Sequence, residues 1–470
     1  MGPLDARGLR AALLGAGLLC AALPVAAQQA GDLTIEQASQ LAQSGSDAIR
    51  IKSLAVQKAR LAQNEAQAQA WPHVDLQASG AYLVNPPTGY TVSRGSLGNL
   101  QPIVGFPFPL PAQDLTIGAQ PYDYISGALT LTQPLFTWGK IRSAIDAAGL
   151  QVQSAGTDLA AQRRDIEREV HRAYFSALLA QESGKVLAGL SQTAADIVAD
   201  RQAALDEGTG TREAVLEARS RQAQVDARRV EAEQSEATAR ESLGILTGRD
   251  PDGIVLASGF RQGMPSLDEP SLRARVEQES TDVSSSRIRQ GQAQKKLALE
   301  QGGALLRPDL ALGLSLSATG AQNYLVLNGA PPSSTATTSW TWDLVISLNV
   351  KMSVFDGSQS AARIGQAEQD VEAAGEALAQ SRKLARLGLR QAVEAARKAQ
   401  ADLEEKLAAE QYAAEREKNA HAGFDSGLAS RGDLRAAEIL LGGAALDRLL
   451  AQFTREEALA DIARLTGEPL

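Results

Sequence analysis

The sequence has little of what catalytic and metal sites are built from. It contains one cysteine, Cys20, and three histidines, His73, His171 and His421, which lie far apart along the chain. No G-x-S-x-G or H-E-x-x-H pattern occurs, and ESGKV at 182–186 lacks the first glycine and the Ser/Thr of a phosphate-binding loop. We therefore predict that the protein is not an enzyme and carries no metal and no cofactor.

Aromatic residues and positive net charge are also scarce. Aromatics make up 4% of the 470 residues, and the formal net charge is −9. Long stretches are dominated by Ala, Glu, Gln, Arg and Leu, which is typical of long helices that pack against partners rather than of a compact globule. The acidic balance argues against a polyanionic partner, so no nucleic acid is expected.

The N-terminus has the pattern of an export signal. Arg7 and Arg10 precede an apolar stretch over 11–23, and small residues at 25–27 suit a signal peptidase. The apolar stretch is shorter than the 18 residues typical of a membrane-spanning helix. We predict a signal peptide over 1–27, whose removal leaves a mature chain without cysteine and with a net charge of −10.

The rest of the chain is an internal repeat. Displacing the sequence by 219 residues places Phe136 on Phe355 without a gap, and "LTG" at 246–248 on "LTG" at 465–467. Upstream, "WPHVDLQASG" at 71–80 matches "RPDLALGLSL" at 307–316 with an offset of 236, so the first copy has an insertion between 76 and 136 that reads as a long surface loop. We predict two duplicated units, 28–260 and 261–470.

Each unit contains two segments in which apolar and polar residues alternate. They predict strands at about 72–83, 124–133, 309–319 and 340–351. Each is about ten residues long, the length of a tilted membrane strand. A soluble sandwich would alternate in the same way, but the polar faces carry small residues, and aromatics cluster at the strand ends as in a membrane interface. These aromatics are Tyr82, Tyr122, Tyr124, Trp340 and Trp342.

One helix is predicted before the first strand of each unit, at about 46–70 and 282–306, and a very long helix and a return helix follow the second strand. The helical hairpins are predicted at about 139–247 and 358–466, with heptad seams that indicate coiled-coil packing. Four strands cannot close a barrel, so several chains must contribute: two would give eight strands, and three would give twelve with room for a channel. The predicted fold is mainly α with a membrane β-barrel, and with three chains it would be a twelve-strand barrel on a twelve-helix tube.

The junctions between strand and long helix are predicted hinges at the membrane surface. In "LTQPLFTWGK" at 131–140, Pro134 is expected to end the strand pairing, Phe136 to lie near the membrane boundary and Gly139 to redirect the backbone. Phe355 and Gly357 are expected to do the same in the second unit without a proline.

These segments together resemble the TolC-like outer-membrane efflux proteins. The resemblance rests on "LTIEQASQLA" at 33–42, the "QPLFTWGK" hinge, "VHRAYFSALLAQE" at 170–182, "EGTGTREAVLEARSRQAQVDARR" at 207–229, "LTGRDP", and "SGLASRGDLRAAE" at 426–438. It implies a homotrimeric conduit in the outer membrane of a Gram-negative bacterium, with a large periplasmic portion. It also implies two protein partners, a periplasmic adaptor (membrane fusion) protein and an inner-membrane transporter.

The resemblance implies that the two hairpin tips dock the adaptor. The tips are Gly208, Thr209, Gly210 and Thr211, and Gly427, Leu428, Ala429 and Ser430. As plain turn chemistry, glycine supplies a left-handed residue and Thr211 or Ser430 caps the next helix. An acidic ring at the pore entrance is implied at Asp433, whereas the second acidic position of the family falls on Ala436; Glu213 lies beside the equivalent of Asp433 in the first unit. Asp433 also completes a capping box with Ser430, and the two roles are compatible.

We therefore expect a passive exit duct of a tripartite efflux or secretion system, opened by the adaptor and powered by the pump. The alternative is a soluble periplasmic coiled-coil interaction protein whose strands form a small sandwich. The cargo and the class of pump do not follow from the sequence.

Overall fold

The computed structural model describes residues 32–82, 90–99, 101–107, 109–112, 115–117, 119–325 and 337–467, so the expected signal peptide lies outside the described residues. The first part of the chain contains β1 (Asp32–Leu33), α1 (Ile35–Gly45), α2 (Asp47–Ala68), β2 (His73–Tyr82), β3 (Tyr90–Val92), β4 (Gly98–Asn99), α3 (Gln101–Val104), β5 (Pro109–Leu110), β6 (Leu115–Ile117), β7 (Ala119–Phe136), α4 (Lys140–Asp206) and α5 (Arg212–Thr247). The second part contains β8 (Val255–Leu256), α6 (Glu269–Glu279), α7 (Thr281–Gly302), β9 (Asp309–Leu325), β10 (Thr337–Lys351), α8 (Gln359–Asp425) and α9 (Arg431–Thr466).

Corresponding helices in the two parts have equal lengths. The long helices α4 and α8 have 67 residues each and begin at Lys140 and Gln359, 219 positions apart; α5 and α9 have 36 residues each and are separated by the same 219 positions. At 1.5 Å per residue a helix of this length extends roughly 100 Å. The equal lengths agree with a duplicated chain, and the division into 28–260 and 261–470 stays a prediction.

Two short helices were not anticipated. A single helix was expected before the first strand of each unit, but the structure has the pairs α1–α2 and α6–α7. Ser46 and Ser280 are the reason, because each is the C-cap of one helix and the N-cap of the next with an extended-type ψ of 122° and 125°. The short helices pack on the long hairpins: α1 packs on α4 and α5, and α6 packs on α8 and α9.

The main sheet among the described residues has four antiparallel strands in the order β10-β9-β7-β2. The two hairpins have the same register: Val74 pairs with Leu131 in the first, and Leu310 pairs with Val350 in the second, which are the equivalent residues under the offsets of 236 and 219. Strands β2 and β10 lie at the two edges. A sheet of this kind ends in unpaired backbone groups on both sides.

Three strands extend beyond the expected bounds. Strand β7 covers 119–136 rather than 124–133, β9 runs to 325 rather than 319, and β10 starts at 337 rather than 340. The alternating pattern underestimates the strand lengths because backbone pairing extends beyond the alternating residues. In the β7–β9 ladder, for example, pairing begins with Ala119 opposite Leu325. The interval read as a loop also contains two short ladders, β3 with β6 and β4 with β5.

The prediction that Pro134 ends strand pairing is wrong. Pairing of β7 with β9 continues through Pro134 to Phe136, with a register irregularity between these two residues. Pairing with β2, in contrast, stops at Thr132. From there on β7 has one neighbour within the described chain, and the irregularity lets the ladder pass a residue that has no amide donor.

Candidate functional site

The strand-to-helix junction of the first unit is held by contacts with the second unit. Trp138 and Gly139 both have positive φ values, 51° and 79°, which turn the chain from β7 into α4. The indole of Trp138 donates a hydrogen bond of 3.0 Å to the carbonyl of Pro308, and Lys140 forms an ion pair with Asp309. The expected turn at Gly139 is present. The contacts with Pro308 and Asp309, which clamp the junction, were not evident from the sequence pattern.

The aromatic and cationic groups around Trp138 complete this clamp. Phe136 lies edge-on to the indole at 5.0 Å between ring centroids, and the guanidinium of Arg307 lies 5.3 Å from the indole centroid. At the second junction Gly357 and Ser358 have φ values of 62° and 70°, and Phe355 is exposed. The two junctions therefore use the same pair of left-handed residues with the glycine in opposite positions.

One face of the main sheet is an exposed apolar surface. Backbone pairing aligns a row of four leucines across all four strands, Leu76, Leu129, Leu316 and Leu344, and each of them is exposed. Trp340, Trp342 and Tyr82 are exposed near the end of the sheet that is farther from the helices. Tyr122 and Tyr124 belong to β7 at the same level of the backbone. Apolar surface of this extent marks a contact with lipid or protein.

The opposite face carries small polar side chains. Pairing aligns a second row of Ser79, Ser126, Thr319 and Thr341, and the hydroxyls of Ser79 and Ser126 lie 2.8 Å apart. Hydroxyls can exchange hydrogen bonds with water while leaving the space in front of them open. The sheet thus has one apolar face and one face lined with hydroxyl groups.

The first hairpin tip is a tight turn between α4 and α5. Gly208 has a φ of 80°, and the amides of Thr209 and Gly210 both donate to the carbonyl of Ala204, at 2.9 and 2.8 Å. Thr211 caps α5 by accepting a hydrogen bond from the amide of Ala214. The turn chemistry expected of these residues is present.

The second tip repeats this geometry with different side chains. Gly427 has a φ of 75°, and the amides of Leu428 and Ala429 donate to the carbonyl of Gly423 at 2.7 and 3.0 Å. Leu428 is 88% exposed, so an apolar side chain projects from the tip without a partner in the described chain.

Asp433 is engaged in the cap of α9. Its carboxylate accepts hydrogen bonds from the amide and the hydroxyl of Ser430, at 3.0 and 2.7 Å, in a complete capping box. These hydrogen bonds, with a smaller contribution from the charge of Arg416, lower the pKa of Asp433. Glu213 lies exposed in the first turn of α5.

Ion pairs above the tips connect the two hairpins. Arg431 and Arg435 on α9 reach Asp200 and Asp196 on α4 at 2.8 and 2.6 Å, and Arg435 also binds Glu438. Sequence reasoning missed them because the partners lie more than 230 positions apart. Charged residues spaced along two helices were the available signal, but it does not say which helices face each other.

Near the middle of the long helices, the segments around Leu33 and at 258–261 form a connector that bonds to both hairpins. The buried hydroxyl of Tyr174 donates to the carbonyl of Leu33 at 2.9 Å and accepts from the amide of Ser258 at 2.7 Å, beside the parallel pair β1–β8. Burial raises the pKa of Tyr174. The buried carboxylate of Glu456 accepts from the guanidinium of Arg455 at 3.1 Å and from the amide of Arg261 at 3.2 Å.

Among the described residues there is no group of three or more His, Cys, Asp or Glu side chains placed to hold a metal ion. His171 is separated from the other two histidines, and burial lowers its pKa. Within the same part of the chain, no helix has a stretch both long and apolar enough to cross a membrane.

Comparison with known proteins places this architecture in a family. A family model described as "Outer membrane efflux protein" matches residues 38–249 and 272–468, most of the chain. The cobalt-zinc-cadmium resistance protein CzcC of Cupriavidus metallidurans is 28% identical over 201 residues, 42% of this chain and 48% of CzcC, so the match spans about half the length of that relative.

Solved structures share the fold at low sequence identity. The outer membrane protein VceC from Vibrio cholerae superposes with a TM-score of 0.66 at 18% identity, covering 92% of this chain and 96% of VceC. The CmeC outer membrane channel of Campylobacter jejuni superposes with a TM-score of 0.68 at 16% identity, covering 92% and 85%. With the sequence match, the hairpin tips and the two-faced sheet, this likeness leads to one conclusion: the chain belongs to the TolC-like outer membrane efflux protein family.

Proposed function

We propose that three copies of this chain form an exit channel in the outer membrane of a Gram-negative bacterium. Each copy would contribute four strands to a twelve-strand barrel and its helices to a twelve-helix periplasmic tube. The observation that carries the proposal is the four-stranded sheet with an exposed leucine row on one face, hydroxyls on the other, and two unpaired edges. Lipid would cover the apolar face, and unpaired edges in lipid require neighbouring chains.

The membrane boundary would be set by aromatic side chains at both ends of the sheet. Tyr82, Tyr122, Tyr124, Trp340 and Trp342 would mark the outer interface, and Phe136 and Phe355 beside the hinges the inner one. Pro134, Gly139 and Gly357 would belong to the hinges between barrel and tube. The alternative of a soluble interaction protein would leave the leucine row exposed to water, which argues against it.

The hairpin tips would dock a periplasmic adaptor that connects the channel to an inner-membrane transporter. Tip residues 208–211 and 427–430 present rigid turns, and Leu428 offers an apolar anchor. Asp433 and Glu213 would add negative charge at the entrance. The protein itself would perform no chemistry, and the pump would supply the energy.

Opening would be a shift between two arrangements of the hairpins. The ion pairs of Arg431 with Asp200 and of Arg435 with Asp196 connect α9 to α4 just above the tips in the arrangement described here. An adaptor that binds a more open arrangement more tightly would move the population toward it. No energy source within the chain is needed for this step.

Membrane fractionation and native mass of the detergent-extracted particle test the proposal. We expect the full chain in the outer membrane and a particle of three chains. A soluble monomer or dimer in the periplasmic fraction would contradict the channel and favour the coiled-coil interaction protein.

Divalent transition-metal cations are one candidate cargo. The support is the similarity to CzcC, a cobalt-zinc-cadmium resistance protein, together with the acidic net charge of −9, which favours cations weakly. A deletion strain should lose tolerance to cobalt, zinc or cadmium salts and regain it with the intact gene. Unchanged tolerance to all three metals would remove this cargo while leaving the channel untouched.

A further inference from the structure

The two units of the chain have unequal surroundings. Helix α9 packs against its hairpin mate α8 and also against α4 of the other unit. Helix α5 holds the equivalent position in the first unit and packs against its mate α4. Among the described residues, no long helix of the other unit packs against α5 in the way that α4 packs against α9. One flank of α5 therefore has no neighbouring helix of this kind.

Inside the chain, the contact between α9 and α4 is made by ion pairs. Near the middle of the tube the pairs are Arg464 with Asp165 at 2.6 Å, Arg168 with Asp461 at 2.5 Å and Arg172 with Glu457 at 3.2 Å. These groups are partly exposed, so each pair gives direction and register more than stability.

Displacement by 219 residues converts the first of these ion pairs into an apolar pair. Arg464 on α9 corresponds to Ile245 on α5, and Asp165 and Arg168 on α4 correspond to Leu384 and Leu387 on α8. Ile245 is 78% exposed, Leu384 57% and Leu387 50%. Large apolar side chains are thus exposed on both α5 and α8, at the positions equivalent to those that form the α9–α4 contact. Such exposure indicates a surface that another molecule covers.

We propose that α5 of one copy packs against α8 of a second copy in the register in which α9 packs against α4, so that Ile245 meets Leu384 and Ser242 meets Leu387. The inference rests on the proposed trimeric channel and identifies the residues that join its subunits. The third ion pair becomes the neutral pair Gln391 and Thr238 under the same displacement. The seam between subunits is therefore apolar and neutral where the seam within the chain is ionic.

Helix α2 provides an independent indication of the same neighbour. Helices α2 and α7 have 22 residues each, and Leu54 and Ile288 are the eighth residue of each. Ile288 is 9% exposed because α7 packs against both α4 and α8, whereas Leu54 is 53% exposed on a helix that packs against α4. Placing α8 of a second copy beside α2 would cover Leu54 as α4 and α8 cover Ile288.

The edges of the sheet fit the same arrangement. Leu131 of β7 pairs with Leu314 of β9 inside the chain. The equivalent residues are Val350 on β10 and Ala78 on β2, which are the two edge strands. Joining these edges between copies, with Val350 opposite Ala78, continues the sheet in one register.

A charge-exchange experiment on the full chain tests the seam. Ile245→Arg and Leu384→Asp each place an unpaired charge in an apolar contact, and the double variant recreates at the subunit seam the pair that Arg464 and Asp165 form inside the chain. We expect each single variant to weaken the detergent-extracted trimer, so that it dissociates at a protein concentration at least about tenfold higher than the wild type does. The double variant should recover most of the lost trimer stability. Leu450→Arg, an exposed position on α9 outside this seam, is the matched control and should keep trimers intact.

Chemical crosslinking supplies a measurement that does not depend on how stable the variants are. From residue 32 onward the chain has no cysteine, so Ile245→Cys with Leu384→Cys, treated with a short bis-maleimide, should give covalent trimers in denaturing gels. Each single cysteine should stay monomeric there. Arg464→Cys with Asp165→Cys is the internal standard and should be joined within one chain.

The outcomes separate the seam from the channel. Suppose that the wild type is a trimer, the double-cysteine variant gives no crosslinked trimers and the single charge variants assemble normally. This result would overturn the seam and leave the proposed channel standing. A monomeric wild type would overturn the proposed channel itself. Single variants that keep trimers but lose export would mean that Ile245 and Leu384 meet a different protein, which would also overturn the seam.

Discussion

The first hairpin tip contains a contact that leaves no room for one methyl group. A Cβ atom on Gly210 would lie 2.9 Å from the amide nitrogen of Leu205, 3.0 Å from the carbonyl carbon of Ala204 and 3.1 Å from the Cβ of Ala204. The loop cannot simply move away, because the amides of Thr209 and Gly210 are both bonded to the carbonyl of Ala204. Gly210→Ala should therefore destabilise the tip by about 1–3 kcal/mol, the range for overpacking.

At the second tip the glycine and the alanine of this contact are exchanged. Gly423 and Ala429 occupy the positions equivalent to Ala204 and Gly210, and a Cβ on Gly423 would lie 3.0 Å from the Cβ of Ala429. Each tip thus accepts one methyl group at this contact, on opposite sides. Ala204→Gly combined with Gly210→Ala converts the first tip to the arrangement of the second and should recover much of the loss, a coupling of about 1–2 kcal/mol.

Hydrogen exchange of the tip amides is the assay, because unfolding of a large assembly is often irreversible and would not report a local change. A loss of 1–3 kcal/mol corresponds to exchange about 5- to 150-fold faster at residues 204–211. The second tip serves as the control in each sample. The reasoning is refuted if Gly210→Ala exchanges at the wild-type rate, or if the double variant exchanges faster than the single one.

Three further predictions concern the tips and the connector at Tyr174. Gly208→Leu or Gly427→Leu should abolish export with trimers intact, since both glycines have positive φ at the proposed docking tips; normal export would remove the docking role. Tyr174→Phe removes a buried hydroxyl with two backbone partners and should cost about 1–3 kcal/mol, seen as faster hydrogen exchange of the amides around residues 33 and 258; exchange at the wild-type rate there would contradict it. Hydrogen bonds from Ser430 lower the pKa of Asp433 from 3.8, so the capping box is complete above pH 3.8 and is lost as the pH falls through the lowered pKa. Proteolysis of the second tip by an acid protease should rise as the pH falls through that range. Asp433→Asn should abolish this pH dependence.

The connector and the ion pairs between hairpins lay beyond the sequence. Tyr174 contacts residues 141 and 84 positions away, and Arg464 binds a carboxylate 299 positions away. Periodicity reports which face of a helix is apolar and says nothing about which helix will meet that face. The same limit explains the missed short helices, because Ser46 and Ser280 break helices that are continuous in composition.

Backbone conformation at the junctions was accessible where glycine was present and hidden where it was not. Gly139 and Gly357 were expected to turn the chain, and both have positive φ. Trp138 and Ser358 share this conformation, but neither residue type signals it. They are held in it by the surrounding structure, in the case of Trp138 by its bond to Pro308 and the ring contact with Phe136.

The sequence by itself determined the repetition, the alternating strands, the long helical hairpins and the two capped tips, because these depend on spacing and on residues close along the chain. Tertiary structure decided how far the strands pair, how β7 passes Pro134, which charges meet between α4 and α9, and which methyl fits at each tip. Those features depend on distances between segments hundreds of residues apart. Such distances are set by packing of whole helices and strands, which no local pattern encodes.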